Sequence, residues 1–199
     1  MSWTSTKLET VVAVNPKLEA SDKPNPEDLV SFVPMASVSE VTQSIEIQTE
    51  RRYEEVSKGF TPFKNGDVLI AKITPCFENG KMALVKAMPT TMGFGTTEFH
   101  VLRSSEKIIA EYLYQLMRNP YVKKAGTQKM KGAAGQRRVP KEFFSNLQIP
   151  LPPLELQQRF AAIVESVEQQ KAAQRAHLEE LDTLFACLQQ RAFAGELVT

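Results

Sequence analysis

Residues 150–193 constrain this chain more than any other stretch. They open with a rigid break, Pro150-Leu151-Pro152-Pro153, then run about forty residues without Gly or Pro until Gly195. Fixed proline φ angles and missing N–H donors bar a helix through the break and suit the approach to a helix start. Beyond it, two rows recur every seven positions: Phe160, Val167, Gln174, Leu181, Leu188 and, four residues on, Val164, Lys171, Leu178, Phe185, Ala192. Apart from Lys171 and Gln174 both rows are apolar, over more than four heptads, which predicts a coiled-coil helix. At the α-helical rise, a helix from Leu154 to Phe193 is a rod of roughly 60 Å. The small domain before it cannot cover such a rod, so the seam calls for a partner helix. Lys171 and Gln174 form a central polar layer that penalises registers setting it against Leu or Phe. An identical helix matches that layer in parallel or antiparallel pairing, so orientation stays open. The competing reading is a long helix packed on its own domain.

With 199 residues, 42% apolar and 24% charged, the chain has material for one compact domain plus the rod. No apolar run approaches the ~18–20 residues that span a bilayer, and residues 1–10 do not read as a signal peptide. Cys76 and Cys187 stand far apart and outside any CxxC pattern, as expected in a reducing cytoplasm. Cys187 reads as a small apolar filler beside the seam. His100 and His177 have no metal-ligand company, and His177 is expected to face solvent. The net charge of +1 hides a segregation: residues 103–141 carry ten Lys/Arg against two acids, which leaves the rest of the chain at −7. A basic block on an otherwise acidic chain suggests a face that meets a polyanion.

In chain order, residues 11–14 read as a first strand and 15–27 as loop. Residues 29–41 suggest a short strand and turn around Pro34, and Arg51-Arg52-Tyr53 is a small basic-aromatic cluster. Asn65-Gly66-Asp67 is a turn into a mostly buried strand, 68–73. Asn79-Gly80 turns again into a return strand, 82–85, so a hairpin with a long tip is expected. Gly93-Phe94-Gly95 leads into a strand at 97–102. The period then changes: Ile108, Ile109, Tyr112, Leu113 and Leu116 share a helical face, with Ser104-Ser105 as cap candidates and Asn119-Pro120 as the stop. A short basic helix follows near 121–131, then a small-residue loop at 132–138 and a final strand at 143–149. The expected architecture is α+β: a mixed domain over 1–150 and a long helix over 151–199.

Gly132–Arg138 carries the strongest chemical signal. Small residues such as Gly135 let backbone N–H groups approach a phosphate, and Gln136, Arg137 and Arg138 add side chains able to reach base edges in pairs of hydrogen bonds. Lys123, Lys124, Lys129 and Lys131 would supply position and salt-dependent affinity rather than sequence choice. The bland alternative is a solvated basic face beside a flexible loop. The tip at 72–81, with Lys72, Thr74 and Lys81, is the second candidate, a polar loop able to enter a groove. Asp67, Glu78 and Lys81 have the residue types of a Mg²⁺-binding nuclease. Yet Glu-x-x-Lys across a turn puts the two side chains on opposite faces, where that pattern needs Glu-x-Lys. Walker, dinucleotide-binding, methyltransferase and serine-hydrolase motifs are missing from the sequence. The expectation is a chain without catalytic residues, metal or cofactor of its own.

Several stretches together resemble the specificity (S) subunits of type I restriction-modification enzymes. They are Phe63-Lys64-Asn65-Gly66-Asp67-Val68-Leu69-Ile70-Ala71-Lys72-Ile73-Thr74-Pro75-Cys76, Glu78-Asn79-Gly80-Lys81 and Gly93-Phe94-Gly95-Thr96-Thr97-Glu98-Phe99. To these add Gly135-Gln136-Arg137-Arg138-Val139-Pro140, Ile149-Pro150-Leu151-Pro152-Pro153-Leu154-Glu155-Leu156-Gln157 and the helix end Phe193-Ala194-Gly195-Glu196-Leu197. Leu156 stands where that family commonly has Glu. The resemblance implies a non-catalytic subunit whose target recognition domain reads one half of a split site in double-stranded DNA. Its long helix would serve as spacer and as docking surface for methyltransferase subunits. Those partners would bring S-adenosylmethionine, and a separate ATP-driven restriction subunit would cut. Full-length members have two recognition domains and two helices packed antiparallel; this sequence has one of each. It is thus expected to be a fragment of a longer chain, or a half-subunit pairing with itself or another half, and the resemblance favours antiparallel pairing. A coiled-coil adaptor whose domain binds protein is the alternative of a different class.

Overall fold

A computed structural model describes residues 3–46 and 49–196 of the chain. Leu197, expected at the helix end, lies outside them. In order the elements are β1 (Ser5–Lys7), β2 (Val12–Val14), β3 (Leu29–Val33), β4 (Thr49–Arg52), α1 (Tyr53–Val56), β5 (Phe60–Phe63), β6 (Val68–Ala71) and β7 (Met82–Leu84). They continue as β8 (Gly93–Thr96), β9 (Phe99–Ser104), α2 (Ala110–Met117), α3 (Pro120–Lys129), α4 (Lys141–Ser145), β10 (Gln148–Pro150) and α5 (Leu154–Phe193). The fold is α+β. Two compact units divide the chain, residues 1–157 and 158–199.

Within the first unit, an antiparallel sheet has the order β2-β9-β6-β7, and a mixed sheet has the order β4-β3-β8-β5 with β3 and β8 parallel. A small pair joins β1 to β10. The unbroken apolar run of β6 follows from burial on both faces. Val68 and Ile70 pack with Leu102, Ile108, Leu113, Met117 and Phe144, while Leu69 and Ala71 pack with Val33, Phe63, Phe99 and Val101. A third cluster, Val30, Phe32, Tyr53, Val56, Met92 and Phe94, closes the far side of the mixed sheet.

Four local expectations change. Gly93 to Thr96 is a strand of the mixed sheet rather than a lead-in to the next, because it pairs with both β3 and β5. β5, whose Phe-Thr-Pro-Phe run carries no clear strand signal, is its antiparallel neighbour. Ser104 ends β9 and Ser105 accepts from the Lys107 amide, so helix α2 begins later, with Ile109 as a cap in extended conformation. The stretch read as a strand at 143–149 instead begins inside helix α4 (Lys141–Ser145) and is strand only from Gln148, because the helix buries Phe144 in the core with Phe143 packed against it. Asn119 is a start signal as well as a stop: its side chain accepts from Tyr121 N, with Pro120 at the first helical position of α3.

Asp67, one member of the acid–acid–lysine set, is fully committed. Its carboxylate takes Arg103 through two hydrogen bonds of 2.8 and 2.7 Å and caps its own turn through Lys64 N at 2.8 Å. Glu78 accepts from Thr74 and Arg137, and Lys81 donates to the carbonyl of Met35. The three side chains therefore have separate partners and do not form one site, which removes the nuclease pattern.

The proline break delivers α5 onto a buried glutamine. Gln157, 0% exposed, accepts from the Ile109 amide at 3.0 Å and donates to the carbonyls of Lys107 and Pro152 at 3.1 and 2.8 Å. It satisfies the amide at the start of α2 and locks the first turn of α5 into the domain. In the second unit, α5 runs on to Phe193, and Gly195 at φ 77° turns the backbone out of it. Its seam residues stand out of any core: Phe160 is 42% exposed, Leu178 58%, Leu181 61% and Phe185 64%. Val167, Leu188, Lys171, Gln174, His177 and Cys187 are exposed too, and Val164 is half-buried. Among the described residues no helix is long and apolar enough to cross a membrane.

Gln157→Leu keeps the volume but strands one amide and two carbonyls. It should lower domain stability by about 1–3 kcal/mol, read as the urea midpoint, whereas Gln158→Leu on the exposed neighbour should change it by less than about 0.5 kcal/mol.

Candidate nucleic-acid interface

The two stretches singled out in the sequence are one structure. The 72–81 tip and the 131–139 segment meet in a short backbone ladder. Arg138 bridges Ile73 on one side and Lys131 on the other, both antiparallel. Its hydrogen bonds run Thr74 N to Arg137 O at 2.9 Å, Val139 N to Lys72 O at 2.8 Å, and Arg138 and Lys131 to each other at 2.8 and 2.9 Å. Gly132 makes the return possible. It has φ 125°, and a Cβ there would sit 2.9 Å from the Gln136 carbonyl.

Helix α3 is pressed against the tip from the other side. A Cβ on Gly126 would lie 2.4 Å from the Phe77 ring, so only glycine lets the helix approach this closely. Lys123 consequently lies beside Gly80 at the tip. The opposite stripe of α3, Tyr121, Lys124 and Gln128, is exposed. Lys129 turns elsewhere, into a groove of about 410 Å³ that it lines with Lys131, Glu142 and Phe143. Of the candidate residues, Lys72, Thr74, Lys131, Arg137 and Arg138 are joined in the ladder, and Lys123 borders it. Gly135 and Gln136 are exposed at the turn beyond it. Lys81 points back to Met35, and Lys129 belongs to the neighbouring groove.

The arginines are not free cations. Arg138 makes a bidentate pair with Glu98, its Nε 2.9 Å from Oε2 and its Nη2 2.7 Å from Oε1. That guanidinium holds the Glu98 carboxyl below the usual range, and Lys72 contributes in the same direction. Arg137 has a looser partner, Glu78, at 3.5 Å. Glu78 also accepts from the Thr74 hydroxyl at 2.9 Å, while its second oxygen is buried with no hydrogen-bond partner among the described residues.

Two supporting residues left no local signal in the sequence. Gln43, at φ 53°, straps the tip: its Nε2 donates to Gly80 O at 2.9 Å, while it accepts from Arg118 Nε at 2.6 Å and from the Tyr114 hydroxyl. His100 is buried under the ladder, where its Nε2 donates to Val139 O at 2.8 Å. A carbonyl can only accept, so that nitrogen carries the proton and Nδ1 accepts from Asn15 Nδ2 at 3.0 Å.

Burial pushes the His100 pKa below its ordinary 6.5, and the positive charge of Lys72 acts the same way. The unfolded chain therefore binds this proton first. The contribution is fully present above about pH 6.5 and is lost as pH falls through the folded value. The thermal midpoint should fall as pH drops from about 7 to about 5, and His100→Gln should flatten that part of the profile.

The family profile for the type I restriction modification DNA specificity domain matches residues 2–183. Among curated relatives, the type I restriction enzyme EcoAI specificity subunit of Escherichia coli is 38% identical over 195 residues, covering 94% of this chain and 33% of the relative. The EcoEI specificity subunit of the same organism is 37% identical over 204 residues, covering 98% and 34%. Among solved structures, the HsdS subunit from Thermoanaerobacter tengcongensis matches with a TM-score of 0.75 at 25% identity, over 98% of this chain and 49% of that one. The S subunit from M. genitalium, at 14% identity and a TM-score of 0.51, is alike in fold. The chain thus spans about a third of the curated relatives and about half of the solved HsdS chain. With its profile match over nearly the whole sequence, the chain belongs to the type I restriction modification DNA specificity domain family.

Proposed function

We propose that this chain is a sequence-specificity module that reads one half of a two-part site in double-stranded DNA and takes no catalytic part itself. One observation carries the reading: the ladder around Arg138 gathers Lys72, Thr74, Lys131, Arg137 and Arg138, with Lys123 alongside, on a backbone held by several hydrogen bonds. Side chains that discriminate bases need that kind of fixed support, because a misplacement of about 1 Å forfeits a bidentate contact. Lysines on longer, freer stems suit phosphate attraction. The relatives' name as specificity subunits supports the same reading.

The partners follow from the helix. Its exposed heptad seam is to be covered by a second copy of this chain or by another recognition half, in the antiparallel sense suggested by the family resemblance. A methyltransferase subunit bearing S-adenosylmethionine docks on the helical assembly, and an ATP-driven restriction subunit joins it. We place the assembly with the DNA in the cytoplasm. A protein-binding adaptor is the alternative, and it leaves the clustered basic charge without a use.

Replacing Arg137 and Arg138 together by Ala should weaken binding to the preferred duplex by at least about tenfold. Substituting Lys123 and Lys124 should instead weaken all duplexes alike and flatten the salt dependence by about 0.9 log units for each phosphate no longer neutralised. Equal binding by wild type and both variants in a titration against salt would remove the interface assigned here.

Modified-base sequencing of DNA from cells co-expressing this chain with the methyltransferase subunit of its own system tests the whole reading. A chain that pairs with itself should yield a methylated motif of identical, inverted halves. Inserting four residues after Gln169 adds about one helical turn and should lengthen the spacer of that motif. An unchanged spacer in a folded variant would sink the ruler role of the helix.

A further inference from the structure

The Glu98–Arg138 pair is more ordered than a surface ion pair has reason to be. Both side chains keep solvent access, 26% for Glu98 and 43% for Arg138, and exposed pairs contribute little to stability. Yet the geometry is over-determined at both ends. The Glu98 carbonyl accepts from Lys72 N at 2.8 Å, and the Lys72 carbonyl accepts from Val139 N at 2.8 Å, so the two backbones are tied through one residue. Arg138 itself is the middle rung of the ladder. Nε and one Nη2 hydrogen go to the carboxylate, and Nη1 donates to the Gln136 carbonyl at 3.1 Å. A guanidinium has five N–H donors. Two therefore remain, one on each terminal nitrogen, without a partner among the described residues.

We propose that Glu98 is a positioning residue for base recognition. It fixes the Arg138 guanidinium so that its two remaining donors address the O6/N7 edge of a guanine, and its negative charge cancels the attraction of Arg138 for phosphate. This rests on the DNA-reading function proposed above and divides the work within it. Guanine offers two acceptors in one plane without a net charge, so it can bind the outer donors while the carboxylate keeps the inner ones. A phosphate brings a second anion next to Glu98 and is repelled by it. Fixing the fork also removes the rotamer freedom that a solvated arginine would lose on binding. Arg137 is the internal contrast. Its single 3.5 Å contact to Glu78 leaves the guanidinium loosely held, as suits a phosphate contact rather than a reader.

The experiment uses the full chain and two readouts. One is selection from a pool of randomised duplexes followed by sequencing, which gives a base-preference profile. The other is binding of a generic mixed-sequence duplex as salt is raised. Wild type should show a guanine position that Arg138→Lys loses while the salt slope stays the same, since the charge is kept and the fork is not. Glu98→Gln should flatten that same position, bind the generic duplex several-fold tighter, and steepen the slope by about 0.9 as one more phosphate is neutralised. Glu98→Asp, which keeps the charge, should restore part of the guanine preference. Thermal midpoints of all three variants separate these effects from loss of fold. If Glu98→Gln lowers the midpoint but leaves both the profile and the slope of the folded fraction unchanged, the pair is structural and the inference is overturned. A wild-type profile with no guanine position affected by Arg138→Lys overturns it as well. A wild-type chain that binds no duplex under any salt condition instead removes the DNA-reading function on which it rests.

Discussion

The site depends on one backbone arrangement, the antiparallel rung at Arg138. A single residue exchanges hydrogen bonds with Lys131 while its neighbours Arg137 and Val139 bond to Thr74 and Lys72. Loops cannot hold polar backbone groups in place without such partners. Everything around the rung serves to let it close. Gly132 turns the chain back where a side chain would strike the Gln136 carbonyl, and Gly126 lets α3 come down onto Phe77 beneath the tip. His100 takes up the Val139 carbonyl from inside the domain. The tip and the basic segment are thereby one rigid surface, although more than fifty residues separate Lys72 from Arg137.

Charge on that surface is arranged more finely than the count of basic residues suggests. Arg138 is matched by Glu98 and Arg103 is spent on the buried Asp67, whereas Arg137 has only a looser contact to Glu78. What remains for long-range attraction are Arg137 and the lysines, above all Lys123, Lys124 and Lys131. Separating attraction from discrimination has a physical logic. Phosphate contacts raise affinity for every sequence, so a module that must choose among sequences benefits when its bidentate side chains are held and neutralised and its flexible cations do the collecting.

The helix obeys a different constraint. Its first turn is part of the domain, because Gln157 occupies a buried polar position that otherwise would leave the start of α2 unsatisfied. Beyond that turn, α5 belongs to a separate unit, and its apolar seam is exposed. Helical secondary structure here needs no tertiary support to be specified by pattern, but a stripe of Leu and Phe in water calls for coverage.

These differences explain what could be read from the amino-acid order. The long helix, its start after the proline run and its end at Gly195 were legible because heptad period, proline and glycine act through local geometry. So was β6, whose run of Val, Leu, Ile and Ala has few other uses, and the hairpin it forms with β7. The basic segment and the tip were legible as candidates, one by one. Local signals misled where two outcomes were locally equal: Phe143 and Phe144 suit a strand as well as a helix, and packing on the core chose the helix. No local pattern could place Glu98 against Arg138, Gln43 under Gly80 or His100 beneath Val139, because each contact joins segments far apart in the chain. Sequence by itself determined the rod, the central strand and the chemical character of the two loops. Only the tertiary structure decided that those loops are a single surface and that its arginines are already held by carboxylates, since long-range hydrogen bonds have no period from which they can be read.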